Sequence, residues 1–294
     1  MIKLSNSHSF EYMVASGALA FDGRGWPWER PLVWLGLVKP ELFTVVIKTV
    51  TRQPRVGNLR WYKPWDCVRL IPGGSVNKVG LTNPGIEYWC ERIAPTIDFK
   101  KVPLVGSIFG ETEQELVESA KMFNLFNFVA LEVNRSCPNT DHPLQVAEAV
   151  VASVKAVKKV SRHPIIIKVS VDQDYLAIAR GLEGVAEAIS LNSVPWKTAF
   201  TNGERTPLWK LEARVKGGGG GVSGKPAQQF NWKAVQELAL QKSLPVIGPS
   251  VMEFEDLVRV RRLGARAVSF GAIHLRNPCK PTTIVEKENY AITR

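Results

Sequence analysis

One short segment of the sequence places a thiol between amide side chains. Residues 134–140 read Asn-Arg-Ser-Cys-Pro-Asn-Thr, so Cys137 lies between Asn134 and Asn139. A thiol has an ordinary pKa of ~8.5 that its surroundings readily change, so it can remove a proton near neutral pH. The amides offer donors and acceptors that suit a planar polar ring. An isolated cysteine is more often a buried structural residue, but the flanking asparagines and the proline favour a catalytic base.

Other polar or small residues stand where short apolar runs end. Apolar runs at 12–15, 43–49, 103–109, 128–133, 164–169, 185–191, 244–248 and 265–270 are predicted strands. The residues that close them are Ser16-Gly17, Lys48-Thr49, Asn134, Lys168, Asn192-Ser193, Gly248 and Gly271. Any one of these has a trivial explanation, such as a turn cap. Their recurrence at the same end of so many runs favours one shared site.

Amphipathic helical periods separate these runs. Thr112 and Glu115 form a capping-box pattern ahead of one helix, and valines 146, 150, 154 and 157 form the apolar face of the next. Further helices are predicted at 175–182, 232–240 and 254–263. Apolar strands alternating with helices are typical of a covered parallel sheet, and about eight strands close a (β/α)8 barrel. We therefore predict an α/β protein with a TIM-barrel fold; an open doubly wound sheet is the alternative.

Two long stretches, 52–83 and 194–224, interrupt the alternation and are rich in glycine, proline and tryptophan. Long loops in a compact barrel usually form the site, and disorder is the alternative. We expect ordered loops at the C-terminal face of the barrel, where barrel enzymes build their active sites. The polar residues at the strand ends would meet there.

Composition limits the remaining choices. The chain has 294 residues, a net charge of +11 and 22% charged residues, with no linker between two halves, which predicts one domain over 1–294. The basic residues are scattered, which favours a solvated surface over a nucleic-acid site. The four cysteines have no metal-ligand spacing, and the N-terminus has no signal-peptide pattern. We expect a soluble cytoplasmic protein with no metal, no nucleic-acid partner and no membrane span.

Several motifs occur in the order found in one enzyme family. They are Ala15-Ser-Gly17, Lys48-Thr-Val-Thr51 with Gly57-Asn58, the Gly/Pro/Asn-rich stretch 72–85, residues 134–140, Lys168, Asn192-Ser193 and Gly220-Gly-Val-Ser-Gly224. In this order the chain resembles the dihydroorotate dehydrogenase family over nearly its whole length, in particular the soluble class with a cysteine base. The N-x-S-C-P-N piece is the most specific.

The resemblance implies a role for each matching residue. Cys137 would take a proton from carbon 5 of dihydroorotate while hydride leaves carbon 6 for N5 of FMN, and Lys48 would lie between flavin and substrate as a second catalytic group. The residues implied to hold this anionic pyrimidine are Lys48, Asn77, Val79, Gly80, Leu81, Asn134, Asn139, Asn192 and Ser193.

The resemblance also implies FMN as the cofactor. Its binding residues would be Ala15, Ser16, Gly17, Lys48, Thr49, Asn134, Lys168, Asn192, Gly221, Gly248, Ser250, Gly271 and Ala272. Lys168 would stabilise reduced, anionic flavin at its N1–O2 edge. Two departures concern this site: Pro249 lacks an N–H in the loop expected to hold the phosphate, and Arg135 replaces a usually apolar residue.

The resemblance leaves three kinds of electron acceptor open. Relatives use fumarate, a quinone, or NAD through a second subunit, and the 72–85 stretch is most similar to the NAD-linked kind. This chain has no dinucleotide fingerprint, so NAD would require a partner subunit that carries an iron–sulfur cluster and FAD. A homodimer is common in the family. Two alternatives stay open: a flavin-dependent tRNA dihydrouridine synthase, and a diverged barrel that binds flavin or a partner without turnover.

Overall fold

The strands form a closed barrel, a small second sheet and an N-terminal hairpin. The computed structural model describes residues 1–60, 62–136, 146–215 and 219–292. The strands in these residues are β1 (Ile2–Lys3), β2 (Ser9–Phe10), β3 (Tyr12–Val14), β4 (Thr44–Val46), β5 (Val50–Thr51), β6 (Val68–Ile71), β7 (Gly74–Asn77), β8 (Leu104–Phe109), β9 (Ala130–Asn134), β10 (Ile165–Val169), β11 (Ala188–Leu191), β12 (Val194–Pro195), β13 (Gly221–Gly224), β14 (Val246–Gly248) and β15 (Ala267–Phe270).

The barrel consists of eight parallel strands within the described residues. Their order around the barrel is β3, β4, β8, β9, β10, β11, β14 and β15, and β15 pairs with β3 to close it. Each strand overlaps a run predicted from the sequence. The (β/α)8 barrel is therefore confirmed, and the open sheet, which has two free edges, is not the fold.

The helices surround the barrel or lie in its loops. They are α1 (Arg30–Trp34), α2 (Ile86–Tyr88), α3 (Glu113–Phe123), α4 (Ala147–Val160), α5 (Tyr175–Gly181), α6 (Trp196–Ala199), α7 (Trp209–Glu212), α8 (Lys225–Gln241), α9 (Phe254–Arg262), α10 (Ala272–Arg276) and α11 (Lys280–Ile292). None of the described helices combines the length and the apolar character that crossing a bilayer would require.

The starts of three helices differ from the local predictions. Thr112 caps α3 by accepting a hydrogen bond from the Glu115 N–H, but the Glu115 carboxylate accepts from the Glu111 N–H, so the predicted capping box is only half formed. Val146 is the N-cap of α4 and is 59% exposed, so it does not belong to the predicted apolar face, whose other three valines are buried. Helix α8 begins seven residues before the predicted start, because Pro226 fits the first helical turn.

Side chains inside the barrel form two layers of opposite character. The lower layer is apolar and packs against Ile2, Leu4 and Phe10 of the N-terminal hairpin segment, which fill the barrel floor. Two residues further along the strands, where alternation returns the side chain to the same face, the layer is polar. Its members in the described residues are Lys48, Ser107, Glu132, Lys168, Ser190 and Ser269, all buried.

The two long stretches predicted as loops pair with each other. Strands β12, β13, β7 and β6 form an antiparallel sheet in that order, with Asn77 opposite Gly221. At Gly74 an added Cβ would come within 2.0 Å of the Ser223 carbonyl oxygen, so the close pairing of β7 with β13 requires glycine. Their described residues thus contain paired strands, but the sheet itself was not predicted, because its partners lie about 150 residues apart.

Candidate active site

A cavity opens at the carboxyl ends of the barrel strands. Its volume is about 560 Å³. Most residues that the sequence placed in a site line it: Ala15, Ser16, Gly17, Lys48, Thr49, Asn77, Val79, Gly80, Leu81, Asn134, Lys168, Asn192, Ser193, Gly221, Ser250, Gly271 and Ala272. The fold thus brings together residues that are scattered over more than 250 positions of the chain.

Three expected site residues remain. Cys137 and Asn139 lie outside the described residues, and Gly248 is described but does not line the cavity. Gly248 ends β14, where an added Cβ would come within 2.6 Å of Val260 Cγ2. The contact made by Gly248 is therefore with helix α9, and the absence of a side chain lets that helix pack against the strand.

Two buried lysines define the electrostatics of the cavity. Lys48 is 9% exposed and Lys168 is 7% exposed. Burial lowers the pKa of Lys48 to about 8; the nearby Cys67 acts in the opposite direction, and the positive charge of Lys168 lowers it further. Two ammonium groups that share a buried cavity favour the binding of an anion.

Hydroxyl and amide groups connect the strand ends in one network. Ser16 Oγ and Thr49 Oγ1 lie 2.9 Å apart, and Thr49 Oγ1 accepts a hydrogen bond from Asn134 Nδ2 at 3.2 Å. Asn134 Oδ1 accepts from both the N–H and the hydroxyl of Ser136, at 3.2 and 2.6 Å. These bonds fix the Asn134 amide plane, and its second N–H has no acceptor among the described residues, so it can donate to a ligand. Asn192 Nδ2 also donates to the Ser136 carbonyl oxygen, at 3.3 Å.

The antiparallel sheet covers the mouth of the cavity. It contributes Ser75 and Asn77 from β7 and Gly221, Ser223 and Gly224 from β13. The following turn continues the wall, with Gly80 and Leu81 both at positive φ, 68° and 56°. A wall built from two distant segments holds these polar groups over the strand ends.

The loop after β14 is held by helix α8. Trp232 Nε1 donates to the Pro249 carbonyl oxygen at 3.0 Å, and Asn231 Nδ2 donates to Ser250 Oγ at 3.1 Å. Ser250 has a positive φ of 67°, which a non-glycine residue adopts only when its surroundings require it. Pro249 lacks an N–H, but the next residue, Ser250, lines the cavity and has both a backbone N–H and a hydroxyl.

Tryptophans form part of the cavity entrance. Trp26 and Trp28 stack with ring centroids 5.5 Å apart, and both line the cavity together with Trp65. Trp28 is 60% exposed and Trp65 is 52% exposed. Trp196, in contrast, is buried in the small cluster beneath the antiparallel sheet. The tryptophans therefore divide between packing and an open aromatic rim.

The sequence reasoning missed several residues of the cavity. Ser75, Ser223, Asn231 and Ser269 line it, and Glu132 and Ser107 lie in the polar layer. Glu132 carried the clearest signal, since it is a carboxylate in the middle of the buried strand Ala-Leu-Glu-Val-Asn. Ser75 and Asn231 had no such signal, because only the pairing of β7 and the packing of α8 bring them to the cavity.

Comparisons with a family model and with known proteins indicate the same family. The family model "dihydroorotate dehydrogenase" matches residues 34–288. A relative from Geobacillus kaustophilus, named dihydroorotate dehydrogenase B (NAD(+)), catalytic subunit, is 31% identical over 283 residues, 93% of this chain and 84% of the relative. Proteins of the same name from Bacillus caldolyticus (30%; 93% and 84% covered) and Desulforudis audaxviator (32%; 90% and 83%) are similarly close. The chain belongs to the dihydroorotate dehydrogenase family.

Proposed function

We propose that this chain oxidises dihydroorotate to orotate, a step of pyrimidine biosynthesis, with FMN as its cofactor. The observation that carries the proposal is the cavity lining, which combines two buried lysines, Lys48 and Lys168, with the oriented amide of Asn134. Dihydroorotate is a monoanion and FMN carries a phosphate, so both ligands would balance buried positive charge. The family match over residues 34–288 supports this hypothesis over a tRNA dihydrouridine synthase. The lysines and asparagines that line the cavity support it over a barrel without turnover.

The cavity fits a bound flavin. Enzymes of this family are flavin-dependent, and about 560 Å³ lies within the range of small-molecule sites, ~300–1,000 Å³. Ser75 Oγ and Asn231 Oδ1 are buried at the cavity without a hydrogen-bond partner among the described residues, so a ligand could satisfy both. Ser250, Gly271 and Ala272 would hold the phosphate through hydroxyl and backbone groups. When bound, FMN would accept the hydride from carbon 6 of the substrate.

The chain's own residues would divide the remaining work. Cys137 would remove the proton from carbon 5, and Asn134 would hydrogen-bond the pyrimidine ring through its free N–H. Lys48, whose pKa is about 8, stays largely cationic at neutral pH and would neutralise substrate charge. A site that hydrogen-bonds every polar edge of the ring should reject analogues that lack those groups.

We propose that electrons leave the chain through a partner subunit. The relatives from three organisms are named as catalytic subunits of an NAD(+)-linked enzyme, and such a name implies a second subunit. We expect the purified chain alone not to reduce NAD when dihydroorotate is supplied, and to do so only with a partner that carries an iron–sulfur cluster and FAD. NAD reduction by the isolated chain would contradict this part of the proposal.

The role of Cys137 can be tested with flavin absorbance. The protein should be yellow as purified and should bleach when dihydroorotate is added without oxygen. Cys137→Ser should slow this bleaching about 10²–10⁴-fold near neutral pH, because a serine hydroxyl loses its proton far less readily than a thiol and so provides almost no ionised base. The variant should keep its flavin, since the thiol would act on the substrate.

Cys279→Ser is a matched control, because Cys279 packs at the edge of the hydrophobic core and does not line the cavity. It should bleach at the wild-type rate. Wild-type bleaching by Cys137→Ala would remove Cys137 as the base, and a protein that binds no FMN would remove the proposed function altogether.

A further inference from the structure

Glu132 is a buried ionisable group that the proposed reaction leaves without a role. It lies in the middle of β9, two residues before Asn134, so its carboxylate points into the barrel interior. The residue is 2% exposed. A carboxylate at this depth remains charged only when cations and hydrogen-bond donors compensate for its lost hydration.

Such partners surround both oxygens of the carboxylate. Oε1 accepts a hydrogen bond from Ser107 Oγ at 2.8 Å and lies 3.8 Å from the ammonium nitrogen of Lys168. Oε2 accepts from Ser190 Oγ at 3.5 Å. Ser107 lies in β8, Lys168 in β10 and Ser190 in β11, so Glu132 of β9 connects four strands of the barrel wall.

The carboxylate also sets the direction of the hydrogen bonds above it. An ionised carboxylate can only accept, so the Ser107 hydroxyl must donate to it. Ser107 Oγ is then an acceptor for Thr49 Oγ1, which lies 2.9 Å away. Thr49 Oγ1 in turn accepts from Asn134 Nδ2. The orientation of the Asn134 amide at the cavity is thereby linked to the charge of Glu132.

The same carboxylate determines the net charge beneath the cavity. In the described residues the charged members of the polar layer are Lys48, Lys168 and Glu132, which together carry a formal charge of +1. One bound monoanion would make the layer neutral. Without Glu132 the layer would carry +2, at a depth where charges are weakly screened.

We propose that Glu132 is a positioning residue of this site, which holds the Lys168 ammonium in place and limits the charge of the cavity to +1. The inference rests on the proposed function, because an anionic pyrimidine and anionic reduced flavin are the groups that respond to this charge. Loss of the carboxylate would make product binding and flavin reduction more favourable, and would make the ligand-free protein less stable. Product release would slow, so kcat and KM should fall together.

Two substitutions separate charge from shape. Glu132→Gln keeps the size and removes the charge, whereas Glu132→Asp keeps the charge and shortens the side chain. Glu132→Gln should bind orotate on the order of tenfold more tightly by calorimetry, and its flavin midpoint potential, measured against a redox dye, should be more positive. Glu132→Asp should stay close to the wild type in both. If Glu132 only filled space, Glu132→Asp would change the orotate affinity and the midpoint potential more than Glu132→Gln would.

Glu183→Gln is the control, because it removes a carboxylate charge at an exposed residue that does not line the cavity, and it should change neither quantity. Orotate affinity and midpoint potential equal to the wild type in a flavin-loaded Glu132→Gln variant would overturn the inference. If that variant does not fold, Glu132→Gln/Lys168→Met restores the charge of +1 and must recover folding; failure to do so would also overturn it. Failure of the proposed function is distinguishable, because the wild type itself would then not bleach with dihydroorotate.

Discussion

Lys48 is a charged residue held in an environment that disfavours its charge. Its side chain is buried at the cavity with the Nζ atom 5.8 Å from the centroid of the Phe21 ring, and the nearby Lys168 adds repulsion. Burial lowers its pKa from 10.5 to about 8, so the ammonium is retained at neutral pH at a cost to the ligand-free protein. An anion in the cavity would remove that cost. The same property therefore weakens the empty site and strengthens anion binding.

The pH dependence of stability should reveal this lysine. Between about pH 8 and 10.5 the unfolded chain holds the Lys48 proton and the folded chain does not, so stability should rise with pH across this window. Between about pH 8 and 10.5 the free energy of unfolding of the wild type should rise by about 3 kcal/mol more than that of Lys48→Met. Urea unfolding of the ligand-free proteins at both ends measures the difference. Parallel pH curves for the two proteins would show that Lys48 is not perturbed as described.

At the scale of elements, one loop supports the turn that lines the cavity. Gly57 has a positive φ of 51°, and an added Cβ would come within 2.2 Å of Thr82 Oγ1 and 2.7 Å of the Val79 carbonyl oxygen. The neighbouring Asn58 N–H donates to that same carbonyl at 2.8 Å, and its side chain donates to the Lys78 carbonyl oxygen at 2.8 Å. The loop at 57–59 therefore fixes the position of the 79–81 turn.

Gly57→Ala should disturb substrate binding more than flavin binding. The methyl group has no room beside Val79, so the turn must move, and KM for dihydroorotate should rise by up to about 10²-fold, the cost of a displacement of about 1 Å. Steady-state kinetics and flavin absorbance measure the two effects. Gly36→Ala is the matched control, since Gly36 has φ 68° but nothing within 4 Å of an added Cβ. An equal change of KM in both variants would attribute the effect to general backbone strain.

At the scale of the whole molecule, apolar side chains fill one end of the barrel and the cavity lies at the other end. Ile2, Leu4 and Phe10 fill the floor beneath the apolar layer, and the antiparallel sheet covers the opposite end. The apolar layer separates the floor from the polar layer under the cavity. Stability and chemistry are therefore carried by opposite ends of the same eight strands, as in other barrels.

Phe10→Ala should destabilise the protein without changing its chemistry. Removing a phenylalanine side chain that is 6% exposed leaves a cavity in the floor, at a cost of about 3–5 kcal/mol. The rate of flavin bleaching per folded molecule should stay at the wild-type value. Urea unfolding and stopped-flow absorbance test the two statements. Leu125→Ala, at a residue 77% exposed, should cost less than about 0.5 kcal/mol; a bleaching rate altered by Phe10→Ala would show that the floor and the site are coupled.

The sequence alone determined the barrel and most of the cavity lining. Runs such as 164–169, followed by amphipathic helices, leave a parallel sheet as the arrangement that buries both faces, and parallel strands in a barrel all end at one face. The pattern therefore assigns Lys48, Asn134, Lys168 and Asn192 to one site, because each closes a predicted strand, and all four line the cavity.

Only the tertiary structure decided which groups face each other. The pairing of β7 with β13 brings Asn77 opposite Gly221, across a separation that no local pattern reports. Strand register decides which positions face the barrel interior. Glu132 faces inward and Gly248 faces helix α9, and a shift of one residue would exchange the two faces. Local propensities act over a few residues, whereas these contacts depend on closing the barrel, so the charge balance of the cavity could be read only from the folded chain.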